Sequence, residues 1–128
     1  VGIRKDVEMK LLPRFVKADM FMACCEESNK LVEVELWDKV GLAIHEYNDS
    51  VTDKWRISHF NSGRSILRHM KNRKEAIYYL MKVRDWETVE GLNIDWTMTE
   101  EQFRSMYNRE EVIGMLIGLQ KEISGERR

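Results

Sequence analysis

The sequence predicts an α+β protein: an antiparallel β-meander of three to four strands, at about residues 31–67, packed by helices and followed by a helical C-terminal third. Three observations carry this expectation. Between residues 31 and 60, apolar side chains recur at every second position, the period of a strand. Asn48-Asp49-Ser50 and Asn61-Ser62-Gly63 interrupt these runs with turn chemistry. From residue 73 onward the apolar spacing changes to three and four, and capping residues precede the runs.

Residues 2–12 carry Ile3, Val7 and Leu11 at four-residue steps between charges, which reads as a short amphipathic helix ending near Pro13. Residues 14–30 satisfy two periods. Phe15, Ala18, Met22 and Cys25 fit a helical face, while Met20, Met22 and Cys24 fit a strand, and a helix is the expectation. In residues 31–36, Val32, Val34 and Leu36 alternate with Glu33 and Glu35. In 40–47, Val40, Leu42 and Ile44 take one face, and Ala43, His45 and Tyr47 the other. In 54–60, Trp55, Ile57 and His59 alternate with Arg56, Ser58 and Phe60. Gly63 suits a left-handed turn position, after which residues 64–67 return as a fourth short strand.

Asn72 followed by Glu75 resembles an N-cap with its reciprocal partner, opening a helix over 73–85 with Ala76, Ile77, Leu80, Met81 and Val83 as its apolar stripe. This helix is the natural cover for the sheet. Thr99 with Gln102 forms a capping box ahead of Phe103, Met106 and Tyr107, and Asn108 with Glu111 is expected to open the last helix, 109–123. That helix carries Val112, Met115, Leu116, Leu119 and Ile123 and ends at Gly125.

The 128 residues are read as a single domain, 1–128, with no linker, repeat or low-complexity tract. Hydrophobic residues make up 43% and charged residues 34%, a globular composition. The formal net charge of -1 gives no overall field of a nucleic-acid binder, although local patches remain open. No apolar run approaches the ~18 residues of a membrane span, and VGIRKDVEMK lacks the apolar core of a signal peptide. The adjacent Cys24 and Cys25 are geometrically poor partners for each other, so reduced thiols and a cytoplasmic location are expected. With three scattered histidines they do not supply a zinc site.

Ser58 and His59 stand side by side, but strand neighbours point to opposite faces and cannot act on each other as nucleophile and base. His59 is expected to be a hydrogen-bonded structural residue near the turn. The acidic pairs Glu100-Glu101 and Glu110-Glu111 fall in first helical turns, where negative charge is stabilising without any catalytic role. There is no phosphate-binding glycine loop, nucleophile elbow or two-histidine metal motif, so no catalytic residue, cofactor or metal is expected. An enzyme built on His45 or His59 would need that histidine to converge with Cys24, Cys25 or a carboxylate in one pocket.

The stretch Trp55-Arg56-Ile57-Ser58-His59-Phe60-Asn61-Ser62-Gly63-Arg64-Ser65-Ile66 and the helix after it, 55–81, resemble small proteins of phages and other mobile elements. The resemblance implies a small accessory protein; such proteins often inhibit host enzymes or defence nucleases by occupying a surface, as anti-CRISPR proteins do. Arg73-Lys74-Glu75-Ala76 is also similar to the Lys-Lys-x-Ala start of the phosphate-contacting helix in double-stranded RNA-binding domains, although the loop 48–53 lacks that family's minor-groove signature.

The leading expectation is a binding protein with another protein as partner; the alternative is an RNA- or DNA-binding module using the basic cluster at 68–74. The expected partner-binding residues are Arg56, Arg64, Arg68, Lys71, Arg73 and Lys74, gathered on one exposed rim formed by the hairpin and the turn after it. Eight methionines and four tryptophans also favour an adaptable recognition surface. Trp86 and Trp96 either anchor the segment between them or expose it for recognition. Gly114 and Gly118 lie in the last helix, where each interior glycine costs ~1 kcal/mol against alanine. Close approach of another backbone would offset this cost, either within the domain or across a homodimer.

Overall fold

The computed structural model describes residues 13–22, 31–46 and 55–125. Five strands, β1 (Val16–Phe21), β2 (Leu31–Trp37), β3 (Leu42–Glu46), β4 (Trp55–His59) and β5 (Arg64–Met70), form one sheet in sequence order. Every neighbouring pair is antiparallel. Three helices follow: α1 (Arg73–Asp85), α2 (Glu100–Tyr107) and α3 (Glu110–Gly125). The fold is therefore α+β, an antiparallel meander packed by helices.

The period-two pattern divides the side chains between two faces. Trp37, Leu42, Ile44, Ile57 and Leu67 pack beneath Ala76, Tyr79, Leu80 and Val83 of α1 and Val112, Leu116 and Ile123 of α3. On the opposite face Met20, Met22, Val34 and Ala43 form a second cluster, flanked by Leu36 and Phe60. Burial of these chains is the main stabilising contribution, at about 25 cal/mol per Å² of apolar surface.

Residues 16–21 correct the expectation of a helix. They form a strand whose Ala18 faces Val34 and whose Met20 faces Val32. Phe15, Ala18 and Met22 fit a helical spacing by coincidence; the open edge of β2 rewards the alternation of Met20 and Met22 instead. The expected helix over 2–12 and the turn at 48–50 lie outside the described residues, as do Cys24, Cys25 and Tyr47.

β3 begins at Leu42, two residues later than its pattern suggested, because Val40 and Gly41 belong to a turn that closes on Trp37 O at 3.0 and 2.8 Å. Gly41 has φ +88°, and a Cβ there would meet Trp96 O at 2.4 Å. Only glycine allows the β2–β3 turn to lie against the backbone of the segment after α1.

β5 runs three residues beyond its expected end at Leu67. The Gln120 side chain of α3 accepts from Arg68 N at 2.9 Å and donates to Arg68 O at 2.8 Å. The amide thereby acts as a neighbouring strand on an otherwise open edge. A register shift between β4 and β5, and His69 at φ +68°, accompany the extension.

Asn72 caps α1, its Oδ1 accepting from Glu75 N at 2.8 Å. Glu75 reaches Lys71 N at 3.2 Å rather than Asn72 N, so the expected reciprocal cap is displaced by one residue. Thr99 and Gln102 make both bonds of their capping box. The Asn108–Glu111 cap does not form. Asn108 instead ends α2, and Glu111 accepts from Val89 N at 2.5 Å, tying down the segment after α1. Trp96 is buried in the main core and anchors the same segment.

Candidate anion-binding site

The β4–β5 hairpin fixes its surroundings through its polar side chains. His59 is fully buried and stacks on Phe103, with ring centroids 4.2 Å apart and planes within 6°. Its Nε2 donates to Met98 O at 3.1 Å, which leaves Nδ1 to accept from Ser62 Oγ at 2.7 Å. Burial lowers the His59 pKa below its ordinary value, outweighing the carbonyls of Met98 and Trp96 and the Glu100 carboxylate, which raise it. The ring is therefore neutral at pH 7. Asn61 Nδ2 donates to Thr97 O at 3.0 Å and Met98 O at 3.1 Å. Ser62 Oγ accepts from Arg64 N at 3.2 Å, and Gly63 sits at φ +70°. The residues His59, Asn61, Ser62 and Gly63 of the distinctive stretch are thus accounted for by a clamp that orients α2 against β5.

Between those two elements lies a cavity of 380 Å³ lined by Arg64, Ser65 and Arg68 of β5 and by Phe103, Arg104, Tyr107 and Asn108 at α2. Positions 104, 107 and 108 share one helix face by their spacing. Phe103 and Tyr107, 5.4 Å apart, provide aromatic walls. Arg104 is held by Glu100 at 2.9 Å, whereas the exposed Arg64 and Arg68 side chains have no partner among the described residues. Three guanidiniums face one carboxylate here, so the cavity favours an anion. Planar donor forks match carboxylate or phosphate oxygens, and the aromatic walls admit the apolar stem of an acidic side chain.

The six residues expected on one rim are distributed over three places. Arg64 and Arg68 line the cavity. Arg73 makes a bidentate pair with Glu35 of β2, at 2.7 and 2.8 Å, which raises its pKa. Lys71 and Lys74 are exposed around the start of α1. Arg56 is 7% exposed and donates to Ser65 Oγ at 3.3 Å from the sheet face opposite the helices. Arg56 thus lies off any exposed rim, while Arg64 and Arg68 line the cavity together with Arg104, Tyr107 and Asn108, which the sequence did not single out for binding. The spacing Arg104-x-x-Tyr107-Asn108 after a capping box was the available signal.

A second polar cluster lies on the opposite sheet face. His45 Nδ1 donates to Glu46 O at 3.1 Å, and Nε2 accepts from Ser58 Oγ at 2.8 Å. Ser58 and Ser65 hydroxyls are 3.4 Å apart. Burial lowers the His45 pKa, the Glu46 carbonyl opposes this, and the nearby Arg56 lowers it further. The Ser58–His45 contact resembles a nucleophile–base pair in its geometry, but Ser58 is 0% exposed. The pair instead satisfies buried polar atoms.

Among the described residues no group of three or more His, Cys, Asp or Glu side chains is placed to hold a metal ion, and no helix is long and apolar enough to cross a membrane. No family model, curated protein or solved structure matches this chain.

Proposed function

We propose that this protein acts by binding, taking an acidic group of a partner protein into the cavity between β5 and α2. The observation that carries this reading is the convergence of Arg64 and Arg68, whose side chains have no partner among the described residues, with Arg104 on an aromatic-walled cavity. Arg73 and Lys82, by contrast, are paired within the chain, to Glu35 and Glu122. A protein partner is favoured over a nucleic acid by the acidic residues that accompany the cavity helix: Glu100 and Glu101 open α2, and Glu110 and Glu111 open α3. These carboxylates interrupt the basic surface that a continuous phosphate backbone would follow. Inhibition of a host defence enzyme by surface occupation, the role implied by the mobile-element resemblance, is one form such binding takes.

Pull-down from host lysate with the wild-type chain and with Arg64→Glu/Arg68→Glu, each with and without nuclease, tests this. The expected result is a nuclease-resistant protein partner whose affinity falls by about a hundredfold or more in the variant, from ~1.5–3 kcal/mol per charge-assisted contact. Capture abolished by nuclease, with a steep salt dependence, would establish the nucleic-acid alternative. Unchanged capture by a folded variant would remove the cavity from the function.

A further inference from the structure

A groove of 650 Å³ runs between α1 and α3, on a different surface from the arginine cavity. Its walls include Tyr78, Met81, Trp86, Met115 and Leu119. At one edge Lys82 bonds Glu122 at 2.8 Å, so this charge pair closes on itself and leaves an apolar opening. Gly114 and Gly118 form part of the α3 wall, and a Cβ built on either meets nothing within 4 Å. Among the described residues nothing therefore requires glycine at these positions or compensates the helix for two poor helix formers.

The same side of α3 carries Glu110, Gly114, Ile117, Gly118 and Lys121, spaced so that they share one face. Ile117 is 50% exposed, an apolar knob beside two notches. Glu110 and Lys121 are exposed and make no side-chain pair within the described chain. We infer that a second copy of this chain docks here, its α3 crossing this one antiparallel about a two-fold axis. The register that sets each Ile117 against the other copy's Gly114 also sets each Glu110 against the other copy's Lys121. Knob, notch and both charges belong to one helix and satisfy one register, the property of a self-complementary contact. Close approach over the glycines then covers the groove edge and supplies the compensation missing from the isolated chain.

Sedimentation equilibrium of the full chain, from micromolar to hundreds of micromolar, tests the inference. A reversible monomer–dimer equilibrium is expected. Ile117→Glu, at an exposed position that leaves folding intact by circular dichroism, should weaken it at least about tenfold, or about 1.4 kcal/mol. Glu110→Lys should also weaken it, and Glu110→Lys/Lys121→Glu should restore it, because the reversed pair fits the same antiparallel register. Gly114→Ala should raise the thermal midpoint of the dilute monomer while weakening association. A wild-type chain that stays monomeric throughout, undiminished association of Ile117→Glu, or failure of the double charge reversal to restore association would each overturn the inference.

Discussion

The start of α1 and the cavity beside β5 use the same residue types in opposite ways. In the sequence, Arg64, Arg68, Lys71, Arg73 and Lys74 belong to one basic stretch. In the fold, Arg73 turns to Glu35 of β2 and ties α1 to the sheet, while Arg64 and Arg68 turn to a cavity in which no carboxylate among the described residues meets them. The difference shows that proximity along the chain does not define a binding patch. A cation matched internally serves the fold; a cation left unmatched beside a shaped cavity is available to a partner.

The largest expected effect lies in the clamp that maintains the cavity. His59→Ala removes a buried ring stacked on Phe103 and leaves Met98 O without its side-chain donor from His59. Urea unfolding should show a loss of about 3 kcal/mol. A loss below about 1 kcal/mol would mean that the hairpin does not hold α2 in place.

The next effect is pH dependence. Burial lowers the pKa of both His45 and His59, so the unfolded chain binds more protons than the folded one once the pH falls below the ordinary histidine value of about 6.5. Stability therefore rises with pH through that window. It should be fully present above about pH 6.5 and decline as acid drives protons onto the unfolded state. His45→Gln should flatten the decline in urea midpoint between pH 6.5 and 5. An identical slope in wild type and variant would show that carboxylates alone govern it.

The smallest effect discriminates the two basic regions directly. Arg73→Ala should lower stability by up to about 1 kcal/mol, the range of a partly exposed ion pair, and leave partner binding in place. Arg64→Ala and Arg68→Ala should change stability by less than about 0.5 kcal/mol each while weakening binding. The reverse assignment of the two phenotypes would invert the comparison.

Much of the architecture was legible in local sequence because its determinants are local. The bounds of α1 follow from Asn72 and a run of good helix formers, and the Thr99–Gln102 box forms as its spacing requires. Gly63 takes the left-handed turn that Asn61-Ser62-Gly63 called for. What escaped detection depends on distant partners. β5 reaches Met70 because Gln120, far along the chain, completes its edge. Asn108 and Glu111 have the right spacing for a cap, but Val89 captures the carboxylate. Alternation placed His45 and Ser58 each on one face of its own strand, but their hydrogen bond depends on a register fixed only in the assembled sheet. The lining of the cavity was half legible for the same reason: Arg64 and Arg68 belong to one basic stretch of sequence, whereas Arg104 and Tyr107 join them only through packing of α2.

The most direct test of the arginine cavity is an NMR titration of arginine Nε–Hε resonances with a short polyglutamate peptide. Saturable shifts are expected at Arg64, Arg68 and Arg104, with Arg73 unmoved in its pair with Glu35. Shifts centred on Arg73, or equal shifts at every exposed arginine, would contradict it.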